Sequence, residues 1–197
     1  MQLSPAYDLL VERGFLSEST CLNIINEATD APFTPATVYG STDLGAIDER
    51  VRKASQLTVA QQTTDSLTQL LLQYKSTIEK HFQVSLRDCE EPQFLRYNVG
   101  DFFVAHQDGN TGLIRLATDA ERRISISLFL NQQSEDSTPG TYSGGSLKFS
   151  DYRKPPPDRE FYMPVETGLL VAFRSELTHE VTPVTRGERY SIVSWYR

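Results

Sequence analysis

A chain of 197 residues with 39% hydrophobic and 23% charged side chains has the balance of an ordinary globular protein with one sizeable core. Its net charge of −7, with no basic stripe, argues against a nucleic-acid partner. Met1 to Asp8 carry neither a basic start nor an unbroken apolar run, and Cys21 and Cys89 form no cysteine framework. No membrane span is therefore expected, and a reducing cytoplasm is the default location.

The acidity is uneven. Residues 1–50 hold eight acids against two bases, which reads as a solubility feature or as a dock for a basic partner. In chain order, Leu3, Tyr7, Leu10 and Val11 stand at helical spacing and predict a first helix over 2–13, stopped by Gly14. Ser17 is placed to cap a second helix running to about Thr29. Thr37–Tyr39 and Lys53–Val59 read as strands, and the polar stretch Gly40–Arg50 between them is either a plain surface loop or a lid over a site. Thr63–Asp65 opens the clearest helix, which keeps its apolar spacing to Phe82 and places His81 at its end, outside any ligand motif.

From Pro92 the character changes to short strands. Gln93–Asn98 and Phe102–Gln107 flank a Val-Gly-Asp turn and predict a hairpin. Arg123–Asn131 alternates, with Ile124, Ile126, Leu128 and Leu130 on one face and Ser125, Ser127 and Phe129 on the other. Ser146–Ser150, Phe161–Met163, Gly168–Phe173, Glu180–Thr182 and Tyr190–Tyr196 complete the strands, and Lys154–Asp158 is a proline-rich surface connection. Helices first and short strands after predict a mainly β fold with flanking helices (α+β): a jelly-roll or barrel-like β core with the N-terminal helices packed outside. The chain reads as one domain over 1–197, with a helical support region at 1–91 and a β core at 92–197.

The chemistry gathers on two strands. In His106-Gln107-Asp108, residues two apart on an extended strand present an imidazole and a carboxylate to the same side. His179 lies on a later strand, followed by a glycine-containing turn and then Arg189. Two histidines and one carboxylate bind one face of an octahedral Fe(II) and leave three positions open, enough for an α-keto acid and dioxygen. The planar fork of Arg189 suits the far carboxylate of a dicarboxylic keto acid. Arg186, beside Gly187, reads as a solvated turn residue, and Trp195 as a wall of the barrel.

These segments resemble the 2-oxoglutarate- and Fe(II)-dependent dioxygenases, in particular the prolyl-4-hydroxylase-like branch. The likeness is carried by Arg96-Tyr97-x-x-Gly100-Asp101-x-Phe103-x-x-His106-x-Asp108, Leu128-Phe129-Leu130-Asn131, Gly144-Gly145-x-Leu147, and His179-Glu180-Val181-x-Pro183-Val184 with Arg189-Tyr190-Ser191-Ile192-x-x-Trp195. It covers roughly residues 92–197. The resemblance implies a double-stranded β-helix with Fe(II) on His106, Asp108 and His179. It implies 2-oxoglutarate held by Arg189 with Tyr97 beside it, dioxygen as oxidant and ascorbate as a candidate reductant. Phe129 departs from the pattern, because some members carry a second tyrosine there; the resemblance leaves Ser125 or Ser127 as possible substitutes for that hydroxyl.

The implied reaction decarboxylates 2-oxoglutarate to succinate and hydroxylates an unactivated C–H bond. Its leading substrate is a prolyl residue of a protein or peptide, by family likeness. A free amino acid or other small metabolite is the alternative, and a metal-binding jelly-roll module without turnover is the reading outside enzymes. Arg189 speaks against that last reading, since a pure metal module needs no dicarboxylate anchor. The oligomeric state is not legible in the sequence.

Overall fold

The computed structural model describes residues 7–29, 31–37, 48–109, 121–136 and 138–197. The elements in chain order are β1 (Leu9–Glu12), α1 (Glu18–Thr29), β2 (Phe33–Pro35), β3 (Arg52–Lys53), β4 (Ser55–Leu57), α2 (Gln61–Phe82), β5 (Gln93–Tyr97), β6 (Phe102–His106), β7 (Ile124–Phe129), β8 (Ser143–Gly144), β9 (Leu147–Ser150), β10 (Glu160–Tyr162), β11 (Leu170–Arg174), β12 (Thr178–Val181), β13 (Val184–Arg186) and β14 (Arg189–Tyr196). Seven strands form one sheet in the order β1-β11-β7-β14-β5-β4-β2. Five form a second, β10-β9-β12-β6-β3, and β8 pairs with β13. The strand pairings are antiparallel. This is the expected mainly β architecture with two helices, and it fits a double-stranded β-helix.

The central strands of the larger sheet are buried on both faces, and their side-chain alternation decides what each face does. Ile124, Ile126, Leu128 and Leu130 pack with Leu170, Ala172, Ile192 and Tyr196 against Cys21, Ile24 and Ala28 of α1 and Leu67, Leu71, Ile78 and Phe82 of α2. Truncating one of these to alanine costs about 2–5 kcal/mol. The opposite face looks toward the smaller sheet. There Phe129, Val171 and Phe173 meet Leu147 and Phe149, while Leu95 and Tyr97 meet Val181 and Val184. A one-residue slip would exchange these faces, so the apolar row that grips the helices also fixes which residues enter the barrel.

Both helix predictions after Gly14 hold. The Ser17 hydroxyl accepts the Thr20 amide at 3.1 Å and caps α1. α2 opens two residues before the predicted start, behind an uncapped Ala60. There the Glu27 carboxylate of α1 takes the Ala60 amide and, at 2.8 Å, the Thr63 hydroxyl, serving the helix N-terminus from outside.

Three expectations are corrected. The described part of the predicted first helix is a strand: Leu9–Glu12 pair in register with Leu170–Phe173. The helical spacing there was a coincidence of four positions, overridden by an open sheet edge far along the chain. The expected hairpin of Gln93–Asn98 with Phe102–Gln107 does not form. The turn exists, closed by the Asp101 carboxylate on the Asn98 amide at 2.9 Å, but it carries the chain from one sheet to the other. β5 pairs β4 and β14, whereas β6 pairs β3 and β12. Likewise the strand predicted over Lys53–Val59 breaks at Ala54, with β3 in the smaller sheet and β4 in the larger. The strand predicted at Thr37–Tyr39 lies mostly outside the described residues, as does residues 40–47 of the Gly40–Arg50 connection; strand pairing occurs instead at Phe33–Pro35. Neither described helix is long and apolar enough to cross a membrane.

Candidate active site

The switch of sheets between β5 and β6 puts Tyr97 and His106 on facing walls of the barrel. His106 ends β6 and pairs directly with His179 of β12. Asp108 follows just past the strand, where its amide and that of Gly109 donate to the Ser175 carbonyl at 2.9 and 3.2 Å. One ligand atom from each of His106, Asp108 and His179 lies within 4.8 Å of the others, the only such group among the described residues. Nε2 of His106 is 3.5 Å from one Asp108 oxygen, and Nε2 of His179 is 3.5 Å from the other.

The backbone sets which nitrogen each ring offers. Nδ1 of His106 lies 2.8 Å from the Val104 carbonyl, and Nδ1 of His179 lies 2.9 Å from the Leu177 carbonyl. A carbonyl only accepts, so each Nδ1 carries the proton and each Nε2 turns a lone pair toward Asp108. The Ser125 hydroxyl donates to Asp108 Oδ2 at 2.7 Å and also contacts the Ser175 hydroxyl at 3.0 Å. The Phe103 ring stacks on His106 at 3.5 Å between centroids, and Phe173 meets His179 edge-on at 4.7 Å. These rings fix the imidazoles and keep water from their flanks.

Burial and the neighbouring His106 hold His179 at a pKa of about 4, so it is neutral at physiological pH and able to ligate. Burial works against the Asp108 charge, yet His179, His106 and the Ser125 hydroxyl hold its carboxyl below the ordinary range. The part owed to His179 exists only where that ring is protonated. At neutral pH the pair is therefore a neutral imidazole beside a carboxylate kept charged by hydrogen bonding.

Arg189 opens β14, opposite Tyr97 on β5. It is 2% exposed, with its guanidinium carbon 5.0 Å from the Tyr97 ring centre and 5.1 Å from that of Phe129. Nη1 donates to the Ser191 hydroxyl at 2.7 Å, and Nε has no hydrogen-bond partner. Among the described residues no carboxylate pairs with it. A guanidinium cannot shed its charge inside a protein, so this is a buried cation set between aromatic rings and lacking an anion. Ser125, Ser127 and Phe129 share one face of β7 and form a floor from the Asp108 end to the Arg189 end.

Residues 92–197, more than half of the chain, match the family model described as the 2OG-Fe(II) oxygenase superfamily. The chain belongs to that superfamily. Fe(II) and 2-oxoglutarate are the cofactor and co-substrate that membership brings, and the residues present fit both. The triad offers two imidazole nitrogens and a carboxylate, and Arg189, with no carboxylate beside it among the described residues, offers the dicarboxylate its counter-charge. A PKHD-type hydroxylase of Cupriavidus pinatubonensis is 25% identical over 80% of this chain and 75% of its own length. A PKHD-type hydroxylase of Bordetella pertussis is 30% identical over 80% of this chain and 66% of its own. In fold, this oxygenase is similar to a prolyl-4-hydroxylase of Pseudomonas putida, with a TM-score of 0.69 over 97% of this chain and 92% of that one at 24% identity. It is also similar to a Trichoplax adhaerens prolyl hydroxylase solved with a hypoxia inducible factor peptide fragment, with a TM-score of 0.66 over 96% of this chain and 83% of that one at 16% identity.

The barrel of this oxygenase brings all five predicted site residues to the space between its sheets. Other expectations change. Ser125 does not serve Arg189; its hydroxyl belongs to Asp108. Arg186 is not a solvated turn residue. Its guanidinium donates to the Ser134 carbonyl at 2.8 Å and to the Ser143 hydroxyl at 2.9 Å, and so ties the 134–143 loop to β13. Trp195 is buried in the wall, with the Arg122 guanidinium 3.8 Å above its ring. His81 pairs with Asp8 at 3.1 Å, away from the triad.

The motif residues Asn131 and Gly145 are positioning residues. Asn131 donates to the Glu188 carbonyl at 2.8 Å and accepts the Tyr190 amide at 2.9 Å, bracketing Arg189 on both sides. Gly145 has φ +56 and sits so close that a Cβ would meet Arg189 Cδ at 3.1 Å and Tyr142 Cε2 at 3.3 Å. Tyr142 is the residue that sequence reasoning missed. It is fully buried, yet it lies in a polar loop rich in serine, threonine and glycine where nothing predicts burial.

Proposed function

We propose that the chain is a 2-oxoglutarate- and Fe(II)-dependent hydroxylase of prolyl residues in a protein or peptide. In this reading His106, Asp108 and His179 hold the iron, and Arg189 binds the distal carboxylate of 2-oxoglutarate above the Tyr97 ring. The observation that carries it is the pairing of two features in one barrel: a three-ligand cluster with its rings already oriented, and a buried arginine with no carboxylate among the described residues. A metal site alone would not bury an unpaired cation beside it.

When bound, Fe(II) and 2-oxoglutarate supply the power to oxidise an unactivated C–H bond with dioxygen. The protein's part is to hold and orient. His106 and His179 present Nε2 lone pairs because their Nδ1 protons are spent on backbone carbonyls. Ser125 fixes the Asp108 carboxylate by donating to one oxygen. Phe103 stacks on His106, and Phe149 and Phe173 pack beside His179, so the rings hold both imidazoles in place. Arg189 gives the co-substrate a single direction along the floor of β7.

The prolyl substrate is supported by the likeness to the Pseudomonas and Trichoplax prolyl hydroxylases, the second solved with a peptide. The test is succinate formation with Fe(II) and 2-oxoglutarate over proline-containing peptides, free proline and other free amino acids, with mass spectrometry of each product. A peptide gaining one oxygen at proline supports the reading. Turnover confined to free amino acids overturns the prolyl substrate and leaves the oxygenase.

A further inference from the structure

Two donors at the Arg189 end have no acceptor: Nε of Arg189 and the hydroxyl of Tyr142, both buried. The two side chains meet across Gly145, whose absent Cβ would lie 3.1 Å from Arg189 Cδ and 3.3 Å from Tyr142 Cε2. Cε2 adjoins the carbon that bears the hydroxyl, so this end of the ring packs at Gly145 beside the Arg189 stem. Burial raises the Tyr142 pKa, and the nearby Arg189 charge and its hydrogen bonding to the hydroxyl work against that rise. The hydroxyl oxygen can accept from the guanidinium, but the hydroxyl's own proton has no acceptor. Leaving a buried hydroxyl proton without an acceptor is unfavourable, so it points to a partner that comes from outside.

We propose that Tyr142 is the second anchor of the 2-oxoglutarate distal carboxylate and supplies, beside Arg189, the hydroxyl that Phe129 lacks. The inference rests on the reading of Arg189 as the carboxylate anchor. A carboxylate has two oxygens and about four lone pairs, enough to take Nε and a tyrosine hydroxyl together. The loop that carries Tyr142 is held for this task. The Tyr142 amide donates to the Gln132 carbonyl at 3.2 Å, its carbonyl accepts the Ser134 amide at 2.8 Å, and Arg186 clamps the adjacent Ser143. Phe129 supplies a ring without a hydroxyl 5.1 Å from the guanidinium. It serves as an apolar wall, and the polar contact comes from the 134–143 loop instead.

The test compares 2-oxoglutarate with 2-oxobutyrate, which offers the same keto-acid chelate and no distal carboxylate. Both are titrated calorimetrically and anaerobically into the Fe(II)-loaded protein. Tyr142→Phe weakens 2-oxoglutarate about tenfold or more, the scale of one hydrogen bond to a charged group, and leaves 2-oxobutyrate unchanged. Because the hydroxyl proton has no acceptor in the ligand-free protein, the variant's melting temperature changes little. Phe129→Tyr added to Tyr142→Phe restores part of the lost affinity. The proposal is overturned if Tyr142→Phe binds 2-oxoglutarate as the native protein does, or weakens both keto acids alike. A native protein that binds both keto acids equally overturns the Arg189 reading itself, which the first comparison reveals before any variant is made.

Discussion

The two ends of the barrel interior are built on opposite principles. At the metal end, His106 and His179 are oriented by backbone carbonyls and Asp108 by Ser125, so the ligand set stands formed by the protein alone. At the other end, Arg189 and Tyr142 hold buried donors with no acceptor, which a bound carboxylate would complete. The first end is preorganised and loses function by degrees as its supports are removed. The second stores an unfavourable burial that an anion would relieve. Changes there therefore act with opposite sign on the empty and the filled protein.

The largest expected effect falls on the ligands. Asp108→Ala leaves two neutral imidazoles, and both iron retention and 2-oxoglutarate consumption drop to background, measured by metal analysis and succinate formation. Next comes Arg189→Met, where the two signs separate. Affinity for 2-oxoglutarate falls on the order of a hundredfold with loss of a charge-assisted pair. The ligand-free protein gains about 1–3 kcal/mol, because an unpaired buried cation is gone and the stem's packing is kept. Denaturant melts with and without the keto acid read both. A variant that loses stability in the empty state would break the contrast between the ends.

Smaller still is the effect of acid on the metal-free protein. His179 titrates at about 4 when folded against an ordinary 6.5, chiefly through burial. The unfolded chain therefore takes up this proton first as pH falls. Stability from this group is complete above about 6.5 and declines toward 4, by about 2 kcal/mol at pH 5. Urea melts at pH 7 and pH 5 measure it, and His179→Leu flattens the difference. Ser125→Ala is expected to be the mildest of these changes at the metal end. It weakens Fe(II) binding about 10- to 100-fold by freeing the Asp108 carboxylate, with little change in the melting temperature of the metal-loaded protein.

The same contrast governs what the sequence reveals. His106-x-Asp108 is legible because two positions on one strand share a side, and the alternation of Ile124 to Leu130 is legible because one face must grip two helices. The second histidine and Arg189 follow from their order on later strands. The failures all concern partners distant in the chain. Leu9–Glu12 becomes a strand because β11 offers an edge, and β5 and β6 separate because each has a better partner elsewhere than its neighbour. Tyr142 is invisible for the same reason. Its ring lies at Gly145, where Val184 and Arg189 arrive only once β8 and β13 have paired.

The most direct test of the two-ended site is anaerobic equilibrium binding of iron and 2-oxoglutarate, measured in parallel on the native protein, Asp108→Ala and Arg189→Ala. The account predicts one iron and one 2-oxoglutarate per native chain, loss of iron in Asp108→Ala, and retention of iron with loss of 2-oxoglutarate in Arg189→Ala. An Arg189→Ala protein that keeps native affinity for 2-oxoglutarate, or that loses iron along with it, would contradict the account.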